Sequence, residues 1–239
     1  MKKQYNKIGE KYANMIKTDP LKNYLQYPGL IRLLGDIKGK KILDIGCGNG
    51  FFSKMVAEKG ASIVGFDVSE KQIELAIENE KRDKLGMTFV CSDQFKFSYP
   101  EKFDLAFSNM VIFYATNFNE LVQFFKCAFK SLKDNGKFIS VIVNPNYKGF
   151  GKLNYDRKIV REGNKAKSEF YINGKFDVSS GFYTWFTKDE YEGAAKKAGF
   201  SKAEWKKISV EKEGIKDKGE KFWEGYDADP LYGILSVEK

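Results

Sequence analysis

From residue 41 onward the chain alternates short apolar runs with stretches in which apolar positions recur at helical spacing. Residues 41–45 (KILDI) form such a run, and Phe51, Phe52, Met55 and Val56 within residues 51–59 fall on one helical face. The pattern predicts strand, glycine turn, helix. Residues 61–66 (ASIVGF) predict a second strand, and Ser69 is placed to cap a helix carrying Ile73, Leu75, Ala76 and Ile77. Further strands are predicted at residues 87–91, 103–107 and 137–143, with a helix over residues 119–132 ended by the Asp134-Asn135-Gly136 turn. Past Asn144-Pro145 the periodicity gives way to a Gly-, Lys- and aromatic-rich stretch reaching about residue 186. Thr187 then caps a helix running to Ala198-Gly199, and residues 231–237 predict one more strand. Residues 1–35 read as mainly helical, interrupted at Pro20 and Pro28.

Strands alternating with helices predict an α/β fold, a doubly wound and mostly parallel sheet with helices on both faces. At 239 residues one core is expected. The pattern divides this single domain into a helical N-terminal cap (1–40), a core (41–144), an insertion covering the substrate (145–186) and a closing part of the sheet (187–239). Within the insertion, seven aromatics fall between residues 170 and 186. They read either as a stacking surface for a flat ligand or as a two-stranded ribbon, YINGKFDV and SSGFYTWF, whose aromatics pack on the cap; Asn173-Gly174 fits a hairpin turn.

Composition narrows the chemistry. The chain contains no histidine, which removes Ser-His-Asp and Cys-His nucleophile schemes and every His-ligated metal site. Cys47, Cys91 and Cys127 form no CxxC pair, so no disulfide framework and no metal site is expected, and a reducing cytoplasmic location is. No apolar segment follows the basic N-terminus and no window approaches the roughly 18 apolar residues of a membrane span, so a soluble, unexported protein is expected.

The net charge of +9 is unevenly distributed: residues 1–40 carry +6, residues 41–144 are neutral, residues 145–226 carry +5 and residues 227–239 carry −2. A neutral scaffold thus bears basic covers. Nucleic acid, an anionic small molecule or a merely solvated lysine-rich surface each fit that distribution.

The most informative segment is Leu43-Asp44-Ile45-Gly46-Cys47-Gly48-Asn49-Gly50, at a predicted strand-to-helix turn. Glycines there permit positive φ and close approach of a ligand to backbone N–H groups. Asp67 ends the next strand 17 residues after Gly50, near the ~20 at which a carboxylate meets ribose hydroxyls in doubly wound folds. A dinucleotide fingerprint starting at Gly46 would need glycine at position 51, which is Phe51.

The D-x-G-x-G-x-G pattern of Asp44, Gly46, Gly48 and Gly50 resembles the first motif of class I S-adenosylmethionine-dependent methyltransferases. The resemblance covers roughly residues 40–144 and implies a seven-stranded Rossmann-like sheet and S-adenosylmethionine as cofactor. It also implies cofactor contacts from Asp44, Gly46, Cys47, Gly48, Asn49 and Gly50. Asp67 and Val68 would hold the ribose, Ser92, Asp93 and Gln94 the adenine, and Asn109 and Met110 the methionine part. The N-terminal Tyr5-Asn6-Lys7-Ile8-Gly9-Glu10-Lys11-Tyr12 is similar to the opening of small-molecule methyltransferases, and its continuation to the toxoflavin-synthase-like group, which methylates heteroaromatic nitrogens. Asn6 and Gly9 depart from that pattern; Tyr5 and Tyr12 would line the methyl site. Tyr114, Tyr183 and Trp185 are candidates for acceptor contact.

Methyl transfer from a sulfonium is an in-line displacement that needs orientation and water exclusion more than a base. A nitrogen acceptor requires no strong base, so nitrogen is expected over oxygen, and no catalytic residue is assigned. The competing expectations are a nucleic-acid methyltransferase using the basic flanks, against which Ser108-Asn109-Met110-Val111 lacks the Asn/Asp-Pro-Pro-Tyr/Phe motif, and a catalytically silent cofactor-binding module.

Overall fold

The computed structural model describes residues 17–239. Five strands build the first part of the chain: β1 (Lys41–Ile45), β2 (Ser62–Asp67), β3 (Thr88–Cys91), β4 (Phe103–Asn109) and β5 (Leu132–Val143). Five more, β6 (Leu153–Asn154), β7 (Arg157–Glu162), β8 (Lys165–Ile172), β9 (Lys175–Ser179) and β10 (Tyr183–Thr184), follow, and β11 (Lys202–Lys206) and β12 (Tyr232–Glu238) close the chain. The main sheet has seven strands in the order β11-β12-β5-β4-β1-β2-β3, parallel except for β12, which runs antiparallel to both neighbours. This is the expected doubly wound architecture. Its central strands β1 and β4 are buried along nearly their whole length because both faces are covered.

The helices are α1 (Tyr27–Leu34), α2 (Phe51–Ala57), α3 (Glu70–Asp83), α4 (Phe118–Ser131), α5 (Lys188–Ala198), α6 (Lys212–Lys218) and the short α7 (Glu220–Trp223). Three of them start at side-chain caps. Ser69 accepts from the Gln72 N–H, Asn117 from the Glu120 N–H, and Thr187 with Glu190 forms a reciprocal capping box.

Four elements differ from the sequence expectation. Pro28 does not interrupt its helix. A π-helical turn, Lys22–Gln26, runs into α1, with the Tyr27 N–H donating to the Lys22 carbonyl. The wider turn accommodates a proline ring that would otherwise press on the preceding turn of an α-helix. The Asp134-Asn135-Gly136 turn lies inside β5, with Asn135 in the left-handed region at φ 62°. β11 was not expected; its KAEWK sequence is dominated by charge because it is an edge strand. The expected pairing of YINGKFDV with SSGFYTWF does not form: the first segment supplies the β8–β9 hairpin itself, and β10 from the second pairs instead with the start of β8, in a second, antiparallel sheet in which β8 also pairs with β7. Asn173 and Gly174 make the expected hairpin turn, with φ of 51° and 75°. Among the described residues no helix is long and apolar enough to cross a membrane.

The core runs between the main sheet and its helices. Phe107 on β4 is fully buried and meets Phe52 of α2 edge to face at 5.3 Å. Phe107→Ala should therefore cost about 3–5 kcal/mol in urea unfolding, because the strand beneath it cannot collapse into the gap; a loss under about 1 kcal/mol would show that this layer repacks freely.

Candidate cofactor and acceptor site

The glycine turn is shaped from outside itself. The N–H groups of Gly46 and Cys47 both donate to the Phe66 carbonyl, at 2.8 and 3.0 Å, folding the end of β1 onto β2. Gly46 has φ 77°, and a Cβ there would stand 2.5 Å from a Val111 methyl, so the chain leaving β4 closes over this position only because it lacks a side chain. The Gly48 N–H donates to Asp67 Oδ2 at 3.0 Å, while Asp67 Oδ1 accepts from the Ser69 N–H at 2.9 Å. One carboxylate thus pins the turn to the start of α3. Burial raises the Asp67 pKa, and the Ser69, Gly48 and Val68 N–H groups oppose that rise.

Asp44 lies deeper, almost wholly inaccessible, and Ser53 Oγ from the first turn of α2 donates to its Oδ2 at 2.6 Å. Burial pushes its pKa from 3.8 to about 7; the Ser53 hydrogen bond lowers it and the Asp67 charge raises it further. Burial also pushes the neighbouring Cys47 thiol up, so it is an inert packing group.

Around the turn a cleft is lined by Gly46, Gly48, Asp67, Val68, Gln94 and Asn109, and it continues past Asp44, Cys47 and Asn49. Two polar atoms on its wall are buried with no hydrogen-bond partner among the described residues: Asn109 Oδ1 and Gln72 Nε2. Leaving such atoms unpaired costs about 1–3 kcal/mol each, which a bound ligand offering a donor and an acceptor would relieve. Met110, in the left-handed region at φ 63° and held by its N–H to the Val141 carbonyl at 2.9 Å, turns the chain along the wall. Carboxylates at one end and unpartnered amides at the middle fit a nucleoside bearing a cationic group.

The structure separates some of the sequence-derived residues. Asp93 Oδ1 accepts from the Phe95 and Lys96 N–H groups, each at 3.0 Å, so this carboxylate serves its own turn, with Ser92 Oγ donating to the Asp93 carbonyl; Gln94 is the member of that trio on the cleft wall. Gly50 caps α2 and lines a separate groove behind the turn. Tyr114 and Tyr183 come together edge to face at 6.1 Å, whereas Trp185 packs against Phe150 at 4.9 Å under the Arg161 guanidinium. Tyr5 and Tyr12 lie outside the described residues. Gln72, Lys22, Phe124 and Val111 were not anticipated. Gln72 sits at the third helical position of a capped helix, where nothing in the local pattern marks it as facing a ligand.

Asp44 sets a pH dependence. Its folded pKa of about 7 exceeds the unfolded 3.8, so the stability associated with its bound proton is full below pH 3.8 and is lost as pH rises through 7. Asp44→Asn should stabilise the ligand-free protein at pH 8 by about 1–3 kcal/mol, the range for relieving one buried polar group, and should flatten the fall in melting temperature between pH 5 and 8. An unchanged pH profile would show that the carboxyl is solvated.

Residues 36–212 match the family described as "Methyltransferase domain". The chain is 32% identical over 114 residues to a ubiquinone biosynthesis O-methyltransferase from Pelagibacter ubique, an alignment covering 48% of this chain and 46% of that relative, so the chain spans about half its length. Among solved structures, an S-adenosylmethionine-dependent methyltransferase from Mesorhizobium loti superposes with TM-score 0.67 at 19% identity, covering 94% of this chain and all of that one. Another from Clostridium acetobutylicum gives 0.66 at 16% identity over 98% of both chains. These similarities establish the Rossmann-like class I architecture, and with more than half of its length matched by the family, the chain belongs to the methyltransferase domain family.

Proposed function

We propose that the chain transfers a methyl group from S-adenosylmethionine to a small-molecule acceptor, with nitrogen favoured over oxygen. The observation that carries this reading is the pair of unpartnered amide atoms, Asn109 Oδ1 and Gln72 Nε2, on the cleft beside an Asp67-pinned glycine turn. Asp67 retains lone pairs for ribose hydroxyls after its two backbone bonds. Gln94 takes the adenine side in place of Asp93. Asp44, held near its titration point by burial, would be drawn to its ionised form by a cationic ligand beside it.

When bound, the cofactor supplies a sulfonium leaving group, which reduces the protein's part to orientation and water exclusion. The acceptor side supports nitrogen. Burial raises the pKa of both Tyr183 and Tyr232, and Asp19 is engaged with Arg157 at 2.6 Å, so none of these groups is poised to take a proton from an alcohol. A neutral amine attacks without prior deprotonation. The oxygen chemistry of the Pelagibacter relative is the competing outcome.

Calorimetry with S-adenosylhomocysteine should show binding in the micromolar to low-millimolar range, and Asp67→Ala should weaken it by about 1–3 kcal/mol through lost hydrogen bonds. No binding would sink the reading; an unchanged dissociation constant in the variant would show that the ribose lies elsewhere. A panel of small amines and matched phenols, assayed for S-adenosylhomocysteine release, should favour the amines, and preference for the phenols would overturn the nitrogen assignment.

A further inference from the structure

Helix α4 is entered through Thr116-Asn117-Phe118-Asn119-Glu120, with Asn117 as its cap and Glu120 at the third helical position. A glutamate there ordinarily reaches back to the start of its own helix. One oxygen of Glu120 does so: Oε2 accepts from the Thr116 N–H at 2.8 Å and from the Thr116 hydroxyl at 2.6 Å. The other oxygen leaves the helix. Glu120 Oε1 accepts from Gln94 Nε2 at 3.2 Å, across 26 positions of sequence.

Gln94 is 8% exposed and lines the cofactor cleft, on the turn just beyond β3, whose last residue Cys91 is paired in register with Asp67. A glutamine amide carries a donor end and an acceptor end of nearly equal size, and a free one turns over to suit whatever faces it. This one is not free. A carboxylate accepts and does not donate, so the amide must present its Nε2 to Glu120; the opposite orientation would set oxygen against oxygen. The two Thr116 donors anchor the carboxylate that imposes this choice.

We infer that Glu120 is a positioning residue for base recognition: by holding Gln94 Nε2 it turns Gln94 Oε1 to the ligand, so that this wall accepts a hydrogen bond and selects a purine with a 6-amino group over one with a 6-oxo group. This rests on the S-adenosylmethionine reading for the identity of the ligand, and adds to it the helix residue that sets the sense of the hydrogen bond. A 6-oxo group in that place would leave two acceptors facing each other with no proton between them. The neutral amide thereby acts as an acceptor, as a carboxylate would, without a further buried charge in a cleft that already holds Asp44 and Asp67.

Calorimetry on the full chain with S-adenosylhomocysteine and S-inosylhomocysteine, which differ at the 6-position and its neighbouring ring proton, reads the selection. The adenine compound should bind about tenfold more tightly or better, as expected for one mispaired buried group. Glu120→Gln keeps an acceptor for Thr116 but lets the two amides pair in either sense, so the ratio should fall to about threefold or less in a protein that circular dichroism shows to be folded. The paired exchange, Gln94→Glu with Glu120→Gln, puts the carboxylate at the ligand and the amide behind it, and should restore the ratio. A merely structural role for Glu120 would weaken both compounds alike in the single variant and leave the paired one no better, and that result would overturn the inference. Equal affinities in the wild-type chain, or a ratio unaltered by Glu120→Gln, would overturn it too while the cofactor reading stands, since the adenine compound would still bind. Binding of neither compound would remove both. Without any variant, the Gln94 side-chain amide protons should be protected from exchange by NMR in the ligand-free protein; exchange at the rate of a free glutamine amide would also overturn the assignment of Glu120.

Discussion

The Asp67 carboxylate is the contact on which the rest of the site depends. By accepting from Gly48 on one side and Ser69 on the other, it fixes the glycine turn against the N-terminus of α3 and makes β1, β2 and the turn one rigid unit. Neither oxygen could do this from another strand, because the parallel pairing of β1 with β2 places Asp67 one step beyond Ile45 and beside the turn. Gly46 completes the unit from the opposite side by admitting Val111, so the far wall of the cleft is held by absence of a side chain rather than by a bond.

The protein has stability stored against function in this unit. A carboxyl with a folded pKa near 7, a second one raised by burial, and two buried amide atoms without partners are each unfavourable in the ligand-free chain. They cluster within one cleft, as expected where a structure is organised around a ligand and not around its own stability.

Much of this was legible in the sequence wherever the determining residues are neighbours. The glycine turn, the Ser69 and Thr187 caps and the Asn173-Gly174 hairpin are all set by local backbone requirements, and each appears where the residues place it. Residues brought together by tertiary structure were not legible. Arg157 and Asp19 lie 138 positions apart, and Gln72 and Asn109 face one cleft from a helix start and a strand end. Which member of the Ser92-Asp93-Gln94 turn borders the cleft was likewise not legible: Asp93 Oδ1 accepts from its own turn, and Gln94 lines the cleft. Pro28 read as a helix breaker because the π turn that accommodates it has no signature in composition.

The net charge of +9 also changes meaning. It leaves the core neutral and includes Lys22 and Arg157, which are buried and so are unavailable to a polyanion passing over the surface. A crystal structure with S-adenosylhomocysteine bound tests the central assignment most directly. Asn109 Oδ1 and Gln72 Nε2 should both gain partners from the ligand, with its ribose on Asp67. A ligand seated elsewhere, or those two atoms still unpartnered beside it, would contradict it.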